Sequence, residues 1–262
     1  MEQHRARKRF GQNFLVDGNI IRKIVAAIDP KPGQAMVEIG PGLGAMTRPL
    51  TEGLDRLHVI EIDRDLAQRL REGELADKLI IHEQDALKFD FAALAGSLGS
   101  VLRVVGNLPY NISSPLLFHL AEHAEQVCDM TFMLQKEVVD RIVAAPDTEA
   151  YGRLSVMLQY RFECSHLFDV PPGAFRPMPK VMSAIVRLKP RPQGQLDASD
   201  LLLMSAIVKA AFGQRRKTLR NTLREWLAQA DWDTLGIDAS RRGETLDLAD
   251  YVRIANHVAM RG

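Results

Sequence analysis

Asn107-Leu108-Pro109-Tyr110 puts two oxygen acceptors, a rigid turn residue and an aromatic ring into four positions, directly after the apolar run Val101 to Val105. Such a set suits chemistry on the exocyclic amine of a flat base. The amine of adenine is a poor nucleophile because its lone pair is delocalised into the ring. A catalyst must therefore accept hydrogen bonds from the N–H groups and draw the nitrogen towards a pyramidal, attacking geometry. Asn107 Oδ1 and the Leu108 carbonyl offer two acceptors, Pro109 stiffens the bend, and Tyr110 presents a face to an extruded base. The same residue types also build ordinary loops, in which Asn caps a turn and Pro sets its angle.

A second motif lies upstream. Val37 to Thr47, VEIGPGLGAMT, follows the apolar segment Gln34 to Ile39 and leads into a helix-compatible stretch. Strand, glycine turn and helix form the cofactor-binding unit of a doubly wound fold: Gly40 and Gly42 let the backbone turn sharply and approach a ligand, and Ala45 fills the last small position. Glu61, about twenty positions on, fits a ribose-diol contact for either NAD or S-adenosylmethionine. Two acids favour the latter. Glu38 precedes the first glycine, which suits a sulfonium ligand with an amino-acid tail, and Asp85 follows the apolar run Leu79 to His82, where it can accept from an adenine amino group. Each acid could equally be a solvated strand end or a helix cap.

The elements that must position these residues alternate along the chain. Apolar periodicity predicts a helix over Asp17 to Ile28, ended by Asp29-Pro30. Strands are predicted at Ala35 to Ile39, Leu57 to Ile62, Lys78 to His82, Val101 to Val105, Asp129 to Leu134, His166 to Val170 and Met182 to Lys189, with helical segments between most of them. Near-continuous apolar strands separated by helices imply an α/β sheet covered on both faces. The last two strands, joined by the Pro-rich stretch Pro171 to Pro179, point to an antiparallel edge hairpin. Pro190-Arg191-Pro192-Gln193-Gly194 reads as a linker, which divides the chain into a domain over 1–190 and a small all-helical C-terminal domain over 191–262.

The 262 residues, 46 % of them hydrophobic, have room for such a pair of domains, and the net charge of +1 becomes informative only through its distribution. Basic residues cluster at Arg5, Arg7, Lys8 and Arg9 and again from Lys209 to Arg224, where Arg215, Arg216, Lys217, Arg220 and Arg224 crowd together. Arg216, Arg220 and Arg224 recur at helical spacing opposite Leu219, Leu223, Trp226 and Leu227. A stripe of this kind can be a solvated helix face; its density beside a separate catalytic module favours contact with an RNA backbone. Cys128 and Cys164 have no metal-ligand spacing and read as reduced core residues of a cytosolic protein. No apolar run approaches the ~20 residues needed to cross a bilayer, so the expectation is a cytoplasmic protein without a membrane partner.

FGQNFL (Phe10 to Leu15), EIGPGLG (Glu38 to Gly44), VIEID (Val59 to Asp63), QDA (Gln84 to Ala86), GNLPYNIS (Gly106 to Ser113), LQKEV (Leu134 to Val138), YGRLS (Tyr151 to Ser155), FRPMPKV (Phe175 to Val181) and FGQRRKTLRN (Phe212 to Asn221) occur in this order. Over nearly its whole length the chain thus resembles the small-subunit (16S) ribosomal RNA adenine N6,N6-dimethyltransferase family, of the bacterial kasugamycin-resistance type. The resemblance implies a Rossmann-like, class I S-adenosylmethionine-dependent methyltransferase sheet. It implies that Gln12, Asn13 and Leu15 close over the methionine end of the donor, that Glu38, Gly40, Gly42, Glu61, Asp85, Ala86 and Asn107 complete the donor site, and that Tyr110 and Phe175 sandwich the target adenine. The alternative for Gln12 and Asn13 is a loop that caps the helix that follows. The amine would attack the methyl carbon in line, the sulfonium leaving as the thioether of S-adenosylhomocysteine, with catalysis by positioning and electrostatics and without a metal. Two neighbouring adenines in a hairpin near the 3′ end of the small-subunit RNA would each receive two methyl groups, from a monomeric enzyme whose partner is the small ribosomal subunit.

Two other readings compete. The large-subunit adenine methyltransferases of macrolide resistance share the cofactor motif and an Asn-led tetrapeptide, but FRPMPKV and FGQRRKTLRN argue for the small-subunit family. A non-catalytic RNA-binding ribosome assembly factor, or a transcription cofactor, could use the same fold; intact NLPY, Glu61 and Asp85 argue against lost catalysis.

Overall fold

The structure is a computed structural model that describes residues 13–109, 111–192, 194 and 197–261. Its main sheet contains β2 (Ala35–Ile39), β3 (Leu57–Ile60), β4 (Leu79–His82), β5 (Leu102–Asn107), β6 (Val127–Gln135), β7 (Phe162–Val170) and β9 (Ser183–Pro190), in the order β4-β3-β2-β5-β6-β9-β7. Two short strands, β1 (Phe14–Leu15) and β8 (Phe175–Arg176), pair antiparallel in a separate ribbon. From β4 to β6 every pairing is parallel, and β9 then runs antiparallel to β6. This is the predicted α/β class, with a mostly parallel sheet flanked by helices.

Helices α1 (Gly18–Ile28), α2 (Thr47–Glu52), α3 (Arg64–Arg71), α4 (Phe91–Leu98) and α5 (Ser113–Glu122) connect the strands, and α6 (Lys136–Val143) follows β6. Asp17 accepts hydrogen bonds from the N–H groups of Asn19 and Ile20 at 2.8 and 3.2 Å and so starts α1; Asp29, in the left-handed region, ends it. Ile24 and Ile28 on its inner face join Met36, Leu57, Val105 and Met133 in one core cluster. The parallel strands are short because buried apolar runs need few residues: all four positions of β3 are buried. Strand order reverses at β2, with β3 and β4 on one side and β5 on the other, so the carboxyl ends of β2 and β5 diverge into a crevice.

The chain divides into two compact units, and the division is not the single cut expected at Pro190. One unit runs to Val139 and resumes over Cys164–Pro190; the second takes Asp140–Glu163 as well as Arg191–Gly262. Within the second, α7 (Arg153–Arg161) packs on α8 (Leu201–Gly213) and on α11 (Leu248–Ala259), with α9 (Leu219–Thr222) and α10 (Gln229–Leu235) between. Val156 and Leu158 of α7 are fully buried, which is why this helix belongs with helices far downstream in sequence. Both cysteines depart from their expected core positions. Cys128 is exposed at the start of β6, and Cys164 is half-buried on β7, an edge strand with one largely open face.

Arg103 on β5 pairs in register with Asp129 on β6. Its Nε and Nη2 donate to the two carboxylate oxygens at 2.7 and 2.9 Å, and its remaining N–H groups reach the Ile28 carbonyl (2.6 Å), the Asp29 carbonyl (3.2 Å) and Gln34 Oε1 (2.8 Å). The end of α1 is thereby tied to the centre of the sheet. Among the described residues, no helix is long and apolar enough to cross a membrane.

Candidate active site

The crevice at the carboxyl ends of the strands is walled by the turn after β2, the segments after β3, β4 and β5, and Asn13 to Leu15. Gly40 and Gly42 adopt φ of +65° and +59°, which L side chains rarely tolerate. A Cβ at Gly42 would also stand 3.3 Å from the ring of Phe14, so the glycine leaves room for β1 to lie against the turn.

Two carboxylates converge on the turn. Glu38, the penultimate residue of β2, is 1 % exposed and accepts a 2.7 Å hydrogen bond from Thr47 Oγ1 at the start of α2. Burial pushes its carboxyl up to about 7, against the lowering effect of Thr47 and with a further rise from neighbouring Glu61. Glu61 follows β3, which ends at Ile60, two residues before its predicted end, and it accepts from the N–H groups of Gly42 (3.3 Å) and Asp63 (2.9 Å). Burial raises its pKa too, and these backbone bonds oppose the rise. Asp85 Oδ1 caps a short 3-10 turn by accepting from Leu87 N–H at 3.0 Å, and the residue also lines the crevice beside Ala86.

Asn107 ends β5 opposite Met133 of β6, and Leu108 N–H donates to the Met133 carbonyl at 3.1 Å. Asn107 Nδ2 donates to the Asn13 carbonyl at 3.2 Å. That bond assigns the amide: nitrogen towards β1, oxygen left as the acceptor. Leu108 is buried, Pro109 is half-buried, and the Pro109 carbonyl accepts from Ile112 N–H at 3.2 Å, which closes the bend. Asn107, Leu108 and Pro109 thus line the same crevice as Asn13, Leu15, Glu38, Gly40, Gly42, Glu61, Asp85 and Ala86.

Other expected site residues are placed elsewhere. Phe175, the second expected base platform, is 1 % exposed and packs in the core with Leu15, Ile24 and Met133. Its pairing with Leu15 in the β1–β8 ribbon turns the ring inward, so the structure does not bring it to the crevice. Gln12, Tyr110, Arg5, Arg7, Lys8 and Arg9 lie outside the described residues. In the helical unit Arg215, Arg216, Lys217, Arg220 and Arg224 are all exposed, but not as one helical stripe. α8 stops at Gly213, and Thr218 begins the single turn α9, where Leu219 N–H and Arg220 N–H bond the carbonyls of Arg241 and Ala239. Sequence reasoning missed Thr47, whose signal was its place at the helix start after the glycine turn. It also missed Ile60 and Ile62, apolar walls on either side of Glu61. Among the described residues, no group of His, Cys, Asp or Glu is placed to hold a metal ion.

Comparison with known proteins bears on the fold and the family. The crystal structure of a dimethyladenosine transferase from Plasmodium falciparum aligns with a TM-score of 0.77 at 25 % identity, over 92 % of this chain and 95 % of that one. The 23S rRNA methyltransferase ErmE aligns with a TM-score of 0.71 at 26 % identity, over 94 % of this chain and all of its own. The ribosomal RNA small subunit methyltransferase A of Aromatoleum aromaticum is 68 % identical over 261 residues, covering 100 % of this chain and 97 % of that protein. Its namesake from Laribacter hongkongensis is 57 % identical over 262 residues, covering 100 % and 99 %. With a family model that matches residues 3–260 and relatives of this identity along the whole length, the chain belongs to the ribosomal RNA adenine dimethylase family.

Proposed function

We propose that the protein transfers methyl groups from S-adenosylmethionine to the N6 amine of adenine in ribosomal RNA. More finely, it dimethylates two adjacent adenines in the hairpin near the 3′ end of 16S RNA, acting as a cytoplasmic monomer on the small ribosomal subunit. One observation carries this reading: the Asn107–Pro109 bend shares a crevice with the glycine turn and its carboxylates. Relatives named for the small-subunit RNA at 57–68 % identity, against 26 % for ErmE, favour that acceptor over 23S RNA.

The residues present fit the donor. The turn at Gly40 and Gly42 lacks the Cβ atoms that would hold a ligand off the backbone, and Glu61 and Asp85 supply acceptors in the same wall. S-adenosylmethionine brings an electrophilic methyl carbon on a positively charged sulfur. Glu61, oriented by two backbone N–H groups, accepts from the ribose hydroxyls. Asp85 and the Ala86 backbone read the donor's adenine, and Glu38 with Asn13 and Leu15 holds the amino-acid end. Gln12, outside the described residues, is assigned to the same end. Asn107 Oδ1 and the Leu108 carbonyl accept from the target amine and align its lone pair; Tyr110, also outside the described residues, is the face proposed for the extruded base.

The deciding experiment offers labelled S-adenosylmethionine with 16S and 23S RNA, as naked RNA and as particles, and maps the product by mass. Label in adjacent 16S adenines as dimethyladenosine is the expected result; label in 23S RNA alone, or none, overturns the reading. Glu61→Ala should weaken donor binding roughly ten- to a hundredfold by calorimetry, about 1.5 to 3 kcal/mol, because it removes charged acceptors from a buried ligand. An unchanged affinity would take Glu61 out of the site. The exposed cations of the helical unit, with Arg5, Arg7, Lys8 and Arg9, are assigned to the RNA backbone. Reversing charge at Arg216 and Arg220 should weaken RNA binding most at low salt and flatten the salt dependence by about 0.7 to 0.9 per lost phosphate contact. Superimposable isotherms would leave both as surface charge.

A further inference from the structure

We infer that the loop between β8 and β9, residues 177–182, is a wedge that enters ribosomal RNA beside the acceptor base and fills the stack that base vacates. The inference rests on the ribosomal RNA reading above and adds to it how the acceptor is extruded. Met178, Val181 and Met182 are 65 %, 44 % and 38 % exposed. Single exposed apolar side chains are ordinary, but three within five positions form a patch that needs a partner. Exposed Arg176 precedes them, exposed Lys180 lies among them, and the segment RPMPKVM contains no acid, so the surface suits a polyanion with apolar layers rather than an acid-free protein groove.

The loop is held stiff and in the right place. At its start Phe175 and Arg176 pair with Leu15 and Phe14, and Val16 N–H donates to the Ala174 carbonyl at 2.8 Å. The Arg176 guanidinium donates to the carbonyls of Phe175 (2.8 Å) and Gly173 (3.2 Å). At its end Lys136 N–H donates to the Met182 carbonyl at 2.9 Å, and Ser183 pairs with Gln135. Pro177 and buried Pro179 fix two backbone angles between these anchors, which keeps the apolar side chains from collapsing onto the body. β9 neighbours β6, which neighbours β5, so the loop rises from the sheet end that carries Asn107, two strand spacings or ~10 Å away. Pulling a base from its stack is unfavourable, and apolar side chains inserted at the vacated step offset that cost. With Phe175 turned into the core, this loop is an exposed apolar group outside the crevice, on the sheet end that carries Asn107.

The test uses a hairpin of the small-subunit 3′ end with 2-aminopurine at the acceptor position, whose fluorescence rises on unstacking. The unaltered protein should bind and raise the signal. Met178→Ser with Val181→Ser, both on exposed positions, should bind the hairpin within about threefold, lose the rise and turn over the adenine-containing hairpin about tenfold more slowly. The volume-conserving pair Met178→Leu and Val181→Ile should restore both. A retained signal, or unaltered hairpin turnover, overturns the wedge. Loss confined to assembled particles, with the hairpin unaffected, also overturns it and makes the loop a contact for ribosomal protein. Failure of the ribosomal RNA reading itself would show separately, as no methyl transfer by the unaltered protein to either RNA.

Discussion

Asn107→Ala is expected to lower turnover about 10²- to 10³-fold while leaving the affinity for S-adenosylmethionine within about threefold. The side chain is placed to act on the acceptor. Its Nδ2 is engaged by the Asn13 carbonyl at 3.2 Å, so Oδ1 is the atom offered to the target amine. Removing one of two preorganised acceptors leaves the Leu108 carbonyl alone to hold a nitrogen that must change geometry as it attacks, and that interaction strengthens only along the reaction path. The donor keeps Glu61, Asp85 and the glycine turn, so its binding should change little. Asn107→Asp separates the two functions of the amide. It retains an acceptor but loses the donor to Asn13 and sets a charge against that carbonyl, so it should fall between alanine and the unaltered protein. Single-turnover rates with saturating donor, alongside calorimetric donor affinity, give both numbers. Undiminished turnover in Asn107→Ala would remove the bend from catalysis.

The parts of the molecule legible in the chain were those governed by local rules. Ala35–Ile39 is read as a strand because every residue is within reach of the core, and the turn after it because Gly40 and Gly42 occupy backbone angles that few other residues enter. Asp17 and Asp29 bound α1 where their capping chemistry places them. What escaped depends on partners distant in sequence. The platform role of Phe175 comes from the family resemblance alone, since a lone aromatic is more often core, and its pairing with Leu15 does turn the ring into the core. The arginines from 216 to 224 have helical spacing, but Thr218 breaks the backbone because Leu219 and Arg220 bond to residues about twenty positions later. α7 reads as one more sheet-covering helix until its buried face meets α8 and α11. A lone arginine inside the apolar run Val101 to Val105 was a signal left unused. Its partner, Asp129, likewise sits in an apolar strand, and two opposite charges in strands otherwise buried are explained together by pairing across the sheet.

That pair carries the second large effect. Arg103→Ala should destabilise the sheet unit by about 3 to 5 kcal/mol, because it strands a carboxylate where water cannot compensate it. The two side chains are only 12 % and 11 % exposed, and all five guanidinium N–H groups are engaged. Alanine therefore removes more than the fork on Asp129: it also strips the carbonyls of Ile28 and Asp29 of their donors at the end of α1. Lysine should rescue little, since one ammonium cannot reproduce two parallel bonds to the carboxylate and three more in other directions. Arg103→Met combined with Asp129→Leu should recover much of the loss despite altering both positions, because it removes the buried charge along with its partner. Amide hydrogen exchange in β5 and β6 reads this locally, independent of the helical unit. Equal losses for the single and double variants would mean that the contacts to α1, and not the unpaired carboxylate, set the cost.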